Sequence, residues 1–196
     1  DLEVSELARR LVTIGVDAVA VCLLHGFRNS CHERTIAEVF GREAPGLSIS
    51  LSSDVSPDIG EFERASTTVA NAYVRPIIRR YLDDLASKLR DAGMAASEPL
   101  IMTSDGGTIP CATAAKYPVR LIESGPAGGA MAAAFLGGLS NHSDLIAFDM
   151  GGTTAKICII EDGTPSRVGL FEVGHVYRFA RGSGLPIRAP VLEMIE

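Results

Sequence analysis

Two apolar runs of strand length flank Asp149-Met150-Gly151-Gly152-Thr153-Thr154, and no other stretch constrains the fold as much. Leu145 to Phe148 precedes it. Ala155 to Ile160, rich in β-branched residues, follows and stops at Glu161-Asp162-Gly163, a hairpin turn signal. The glycines therefore fall in a turn between strands. Adjacent glycines let a backbone take positive φ and approach a ligand closely, their amides can point at an anion, and two threonine hydroxyls follow at once. That is the chemistry of a phosphate cradle. Asp149 beside it would be a misplaced negative charge unless a cation or polarised water intervened, which is how nucleotide-bound Mg²⁺ is commonly held. The same residues also make a good tight turn in a protein that binds nothing there. Neither G-x-x-x-x-G-K-S/T nor a G-x-G-x-x-G between strand and helix occurs, so a nucleotide site here belongs to another class.

Upstream, Val4 to Ile14 has the helical apolar period Leu7, Leu11, Ile14 and stops at Gly15. Asp17 to Leu24 is a nearly unbroken apolar run, the mark of a strand covered on both faces. Asn29 or Ser30 can cap a helix reaching about Arg42, and Leu47 to Ser52 alternates as a strand. The resulting β-α-β unit implies a right-handed crossover in a layered sheet. Ser53 to Gly60 has loop composition. Phe62 to Ala92 is helical, with a break or kink expected at Pro76, an inner face of Ile78, Leu82, Leu85 and Leu89, and Gly93 as C-terminal cap. Pro99 to Thr103 is a short strand delivering Ser104-Asp105-Gly106-Gly107, which reads either as a strand-to-helix turn or as a ligand loop at a strand's carboxyl end. The glycines and alanines of Ser124 to Leu139 describe a helix slim enough for another backbone to cross, while its N-terminus is also a possible anion site. Arg167 to Val173 reads as a third antiparallel strand, and Arg181 to Pro190 as loop.

Charge and composition exclude several classes. A net charge of −6 with scattered basic residues speaks against nucleic acid as a partner. No run of 18 apolar residues exists, so no membrane-spanning segment is expected. The start, Asp1-Leu2-Glu3-Val4, is not that of a signal peptide. Cys22, Cys31, Cys111 and Cys158 form no C-x-x-C pair, so reduced thiols in a cytoplasmic protein are expected. Among His25, His32, His142 and His175 no zinc-ligand spacing occurs, and the adjacent Cys31 and His32 cannot easily share one tetrahedral ion. Lys156 lies on the strand face of Thr154, either reaching a phosphate or facing solvent.

Phe148 to Thr154, with its flanking strands, resembles the second phosphate loop of the actin, sugar kinase and heat-shock chaperone ATPase superfamily. Glu123-Ser124-Gly125-Pro126-Ala127-Gly128-Gly129 and the Ala-rich stretch after it resemble that superfamily's inter-domain helix. More closely, Ser104-Asp105-Gly106-Gly107, Ser124 to Gly129 and Asp149 to Thr154, in that order and spacing, are similar to the hydantoinase A and 5-oxoprolinase family. The resemblance implies an α/β, actin-like (ribonuclease H-like) ATPase fold in part. Residues 1–122 would end the first lobe, 123–143 form the inter-domain helix and linker, and 144–196 open the second lobe. The first phosphate loop would lie before Asp1 and the adenosine-contacting region beyond Glu196, which makes the chain an internal fragment, inactive by itself.

For the intact protein the resemblance implies ATP- and Mg²⁺-dependent opening of a cyclic amide such as a hydantoin or 5-oxoproline, through phosphorylation of the amide carbonyl. Gly151 and Gly152 amides and Thr153 and Thr154 hydroxyls would hold phosphate oxygens. Asp149 would be catalytic, orienting Mg²⁺ or its water. Ser104, Asp105 and Gly106 would stand on the substrate side. A B-type hydantoinase subunit, separate or fused, and an oligomeric intact protein are expected. Alternatives are an ATP-dependent ketone carboxylase subunit of the same family and an ATP-gated protein-binding module.

Overall fold

In the computed structural model, residues 2–94, 98–174, 177 and 182–195 are described. The chain divides into two compact units: residues 1–87, 115–119 and 172–188 form the first, and 88–114, 120–171 and 189–196 the second.

The first unit opens with α1 (Leu2–Thr13), β1 (Ala18–Val21), α2 (Cys31–Glu43), β2 (Ser48–Leu51) and α3 (Ser52–Val55). β1 and β2 pair in parallel, Ala18 opposite Ser48 through Val21 opposite Leu51, as a β-α-β unit requires. Ala8, Phe40, Ala44 and Leu47 form the core beside them, with Leu11, Val19, Ile36 and Ile49 packed around. Two details differ from the sequence reading. The first strand stops at Val21 rather than Leu24, because the backbone of Leu23 bonds to the side chains of Glu33 and Arg64 instead of a neighbouring strand. Among the described residues the pair stays two-stranded, and Ala18 to Ala20 are only half-buried, not covered on both faces. Ser30 occupies the N-cap of α2 without a side-chain bond to the helix amides, its hydroxyl accepting from Arg34 Nε at 3.1 Å; Asn29 Oδ1 accepts from the Cys31 amide at 3.1 Å instead.

Helix α4 (Glu61–Asp91) runs unbroken through Pro76, where a break or kink was expected. A single proline removes one intrahelical donor, and anchoring on either side outweighs that loss. On the N-terminal side Arg64, Thr67, Thr68 and Asn71 are buried at helical spacing, and on the C-terminal side Leu82 is. The inner apolar face Ile78, Leu82, Leu85 and Leu89 is as the sequence indicated. Gly93, at φ 85°, ends the helix, with its amide on the Arg90 carbonyl and the Met94 amide on Leu89 at 3.0 Å, a Schellman-type stop.

In the second unit β3 (Leu100–Met102) and β4 (Thr108–Pro110) form an antiparallel hairpin. The segment Ser104–Gly107 is thus a hairpin turn, neither a strand-to-helix turn nor the end of a parallel strand, because Thr103 and Gly107 close it with a 2.9 Å backbone bond. Helix α5 (Cys111–Lys116) and a 3₁₀ turn at Pro118–Leu121 lead to α6 (Ser124–Leu139). This helix buries Ala127, Ala130 and Ala134; Ala127 and Ala130 with Cys158 and Leu192, and Met131 and Ala147 packed against them, make the unit's core. The backbone crossing expected at the start of this helix is absent among the described residues: Cβ atoms at Gly125 and Gly129 would meet nothing within 4 Å and one at Gly128 only the Met102 side chain, whereas near the other end a Cβ at Gly137 would come within 2.8 Å of the His142 carbonyl.

β5 (Leu145–Met150) and β6 (Ala155–Glu161) pair antiparallel in full register, Leu145 opposite Ile160 through Met150 opposite Ala155. The turn at Asp162 (φ 50°) and Gly163 (φ 72°) returns the chain to β7 (Thr164–Pro165), as the Glu-Asp-Gly signal indicated. The single third strand expected over 167–173 is instead two short ones. β8 (Arg167–Val168) pairs with β11 (Val191–Leu192), and β9 (Phe171–Val173) with β10 (Leu185–Ile187). Gly169 and Leu170 divide them, and β10 occupies part of the stretch read as loop. His175 and residues 178–181 lie outside the described residues. All four cysteines are free thiols, Cys158 buried. Among the described residues no helix is long and apolar enough to cross a membrane.

Candidate functional site

The hairpin β5–β6 presents Asp149 and the loop 151–154 at its tip, all of them exposed. A Gly151 amide to Thr154 carbonyl bond of 3.0 Å closes the loop. One of the two amides assigned to phosphate is therefore already engaged within the turn. The amide of Gly152 and the hydroxyls of Thr153 and Thr154 make no hydrogen bond with the described residues and point to none of the chain's own needs. Neither glycine takes positive φ, in contrast to the sequence expectation. A Cβ on either would meet nothing within 4 Å. Among the described residues neither positive φ nor packing requires glycine at 151 or 152. Bare backbone at two successive positions leaves room for close approach there.

Pairing puts Asp149 directly opposite Lys156, on the hairpin face that carries Ala147 and Cys158 inward. Lys156 neither faces solvent nor is left to meet a phosphate alone: its ammonium forms an ion pair with Glu123, the N-cap residue of α6. The Lys156 side chain is 15% exposed and that of Glu123 26%, so the pair is partly shielded from water and rigid. The Glu123 amide in turn donates to the Ser104 hydroxyl at 3.0 Å. Ser104 donates from both amide and hydroxyl to the Arg120 carbonyl, each at 2.8 Å, and its own carbonyl accepts from Leu192 at 2.8 Å. Fully buried, Ser104 is a staple joining the β3–β4 turn, the entry to α6 and β11.

The substrate-side trio thus separates by geometry. Gly106, at φ 81°, has a conformation only glycine adopts easily, and a Cβ there would approach Met131 to 2.8 Å. Asp105 is half-buried; Oδ1 accepts from the Thr103 hydroxyl and, at 3.2 Å, from the Gly107 amide, while Arg167 Nε donates to its carbonyl at 3.1 Å. Burial raises the Asp105 carboxyl's pKa, but the Thr103 and Gly107 bonds, its own amide and the Arg167 charge together hold it below the ordinary aspartate value. Asp105 is consequently an anion at neutral pH. Arg120 and Arg167, which help bind these loops together, escaped the sequence reading, and Glu123 entered it only as the first residue of the helix motif, without a partner. Glu123 and Lys156 lie 33 positions apart, and nothing local to either marks the pairing.

The donor set at the hairpin tip fits a nucleotide phosphate: amide and hydroxyl groups without internal partners, no bulk, and one carboxylate alongside. Among the described residues no cluster of three His, Cys, Asp or Glu side chains could cage a metal. Asp149 suits a Mg²⁺ ion that keeps its waters and takes most ligands from phosphates.

The model for the hydantoinase/oxoprolinase family matches residues 64–196. An uncharacterized protein of Methanocaldococcus jannaschii is 34% identical over 99% of this chain and 29% of its own length. The 5-oxoprolinase of Saccharomyces cerevisiae is 32% identical over 97% of this chain and 14% of its own. Caprolactamase subunit alpha of Pseudomonas jessenii is 31% identical over 76% of this chain and 21% of its own. The chain spans less than a third of each of these curated relatives. Among solved structures, nucleotide-free acetone carboxylase superposes with a TM-score of 0.79 at 24% identity, and ATP-dependent caprolactamase from Pseudomonas jessenii with 0.76 at 24%; each covers 98% of this chain, which spans 26% of either. The chain shares the fold of the matching part of those two structures, and it belongs to the hydantoinase/oxoprolinase family.

Proposed function

We propose that the full-length protein carrying this chain opens a cyclic amide, hydantoin or 5-oxoproline being the model substrates, in an ATP- and Mg²⁺-dependent reaction. The observation that carries this reading is the hairpin tip, where two glycines that neither the backbone nor the packing requires stand beside Asp149 and two unengaged threonine hydroxyls. Membership in a family with relatives named 5-oxoprolinase and caprolactamase gives the substrate class. Bound ATP would supply its terminal phosphoryl group to the amide oxygen, which makes the carbonyl carbon electrophilic enough for water to add; the ring C–N bond would then break with nitrogen leaving as the amine, and a second water would release the phosphoryl group as phosphate.

The chain's own residues act by position and charge, as in other phosphoryl transfers. The Gly152 amide and the Thr153 and Thr154 hydroxyls donate to phosphate oxygens, while Gly151 contributes by holding the turn. Asp149 would hold Mg²⁺ or a water on it, and the ion would supply charge neutralisation of the phosphates. Lys156, fixed by Glu123, sets positive charge opposite Asp149 and keeps the hairpin tip in one orientation. Ser104 acts as a positioning residue, and Asp105 is the charged group of its turn that remains available to a polar substrate. A companion B-type subunit completes the enzyme, in keeping with a relative that is itself an alpha subunit.

The test is ATP consumption by the full-length protein with its companion subunit, given hydantoin, 5-oxoproline or acetone, for wild type and Asp149→Ala. Turnover with a cyclic amide that collapses in the variant is expected. Turnover with acetone alone would move the protein to the ketone carboxylases, and ATP binding with no response to any of the three would favour a binding module.

A further inference from the structure

Helix α4 is inverted relative to an ordinary surface helix: over its first half the residues turned inward are polar and those left in water are apolar. Arg64, Thr67, Thr68 and Asn71 are buried, whereas Phe62, Val69, Tyr73, Ile77 and Tyr81 are 65%, 58%, 78%, 58% and 61% exposed. Val69, Tyr73, Ile77 and Tyr81 follow one another at intervals of four and so form a continuous ridge, which Phe62 extends on the same side toward the N-terminus. From Phe62 to Ile77 every exposed residue of the helix is one of these large apolar ones. A stripe about 22 Å long therefore carries no exposed charge. Val, Tyr and Ile are also poorer helix formers than the Glu, Lys or Arg of a solvated face, so neither solubility nor helix propensity selects them. An uninterrupted apolar row of this kind marks an interaction surface.

Charge at the two ends of the stripe points to what covers it. Glu61, at the N-terminal end, is exposed and joins no ion pair among the described residues. At the other end Arg79 meets Asp83 only at 3.9 Å, and Arg80 Nε reaches only the Pro76 carbonyl, at 3.4 Å. Glu61 and Arg79 lie about five turns apart, as do Phe62 and Arg80, so the members of each pair stand on one line of the helix. Both pairs are centred on the stretch between Val69 and Tyr73. A second α4 turned end for end about that centre brings Glu61 to Arg79, the Phe62 ring to the Arg80 guanidinium and Val69 to Tyr73, and the two-fold symmetry makes each contact twice. A crossing angle of about 20°, common for long packed helices, keeps both ends within reach. Parallel pairing would instead set Glu61 against Glu61 and Arg79 against Arg79. The stripe is thus complementary to its own reversed copy in shape and in charge.

We propose that the outer face of α4 is a self-association surface, on which two copies of this protein pair antiparallel about a two-fold axis between Val69 and Tyr73. The test is sedimentation equilibrium of the full-length protein, with and without its companion subunit. Tyr73→Glu, at a 78% exposed position, is expected to halve the mass of the particle and leave the melting temperature unchanged. Glu61→Arg and Arg79→Glu each bring like charges together twice per pair, and each is expected to raise the dissociation constant about tenfold. The double variant Glu61→Arg/Arg79→Glu restores the pairing and is expected to return to within about threefold of wild type. No contact within one chain produces that rescue, because the two positions are about 27 Å apart on a single helix. An unchanged mass in Tyr73→Glu overturns the proposal, as does a double variant no tighter than the single ones. Release of the companion subunit by Tyr73→Glu, with the self-associated mass kept, would assign the stripe to that subunit and equally overturn it. A lowered melting temperature at unchanged mass would assign the stripe to another part of the parent chain, with the same result.

Discussion

Gly151 and Gly152 show how a residue can be dictated by something other than its own chain. With negative φ and open space around each, alanine fits at both positions without strain. Gly152→Ala is therefore expected to leave stability unchanged or to raise it by up to about 1 kcal/mol through the unfolded chain, while nucleotide affinity of the full-length protein falls; thermal melting and nucleotide titration measured together decide it. Ser104 is the opposite case. Ser104→Ala removes the acceptor of the Glu123 amide and a bond to Arg120 in a fully buried place, and is expected to destabilise by about 1–3 kcal/mol in denaturant titrations. Asp149→Asn, at an exposed position, should stay within about 0.5 kcal/mol of wild type and yet abolish ATP turnover. If Asp149→Asn unfolds the protein instead, its place in the site loses support.

At the scale of elements, α4 departs most from the pattern of a helix on a sheet. Its buried N-terminal face is polar, and each group has a partner: Asn71 alone donates to Ser50 Oγ at 3.0 Å and the Lys116 carbonyl at 3.2 Å and accepts from the Val119 amide at 3.3 Å. The helix thereby sews β2 to residues 116–119. Glu33 on α2 adds a pH dependence. Burial raises its pKa, but the bonds from the Ser52 hydroxyl and the Leu23 and Ser53 amides outweigh this and hold it below the ordinary value of 4.5. A depressed folded-state pKa means stability that is complete above the unfolded value and is lost as pH falls through the folded one. Acid unfolding of the wild type below about pH 4.5 should therefore steepen relative to Glu33→Gln, and identical acid profiles for the two would contradict it. The Glu123–Lys156 pair belongs to this scale as well, since it ties a helix entry to a hairpin.

On the scale of the molecule, the second unit is unfinished as a surface. Ile146, Phe148 and Met150 are 67%, 61% and 69% exposed on one face of β5, and Phe135, Leu136 and Leu139 on α6 are 68%, 60% and 69% exposed. Helix α6 carries no charged residue along its 16 positions, and a helix apolar all round is ordinarily buried. The isolated 196-residue chain is accordingly expected to bind hydrophobic dyes and self-associate in sedimentation, less so after Phe148→Ser and Leu139→Ser, and to hydrolyse no ATP. Local signals in the sequence were enough for the β-α-β unit, the Gly93 stop, the inner face of α4 beyond Pro76 and the hairpin around the glycine loop. Each of these follows from periodicity, turn chemistry or capping within a few neighbouring residues. Residues far apart in sequence decided the rest: the early end of β1 at the Glu33 and Arg64 side chains, the divided strands β8 and β9, the partner of Lys156 and the staple at Ser104. Those depend on which side chains and backbone groups meet across 10 positions, as at Leu23 and Glu33, up to the 88 that separate Ser104 from Leu192, and hydrophobic period and turn propensity carry no information about such meetings.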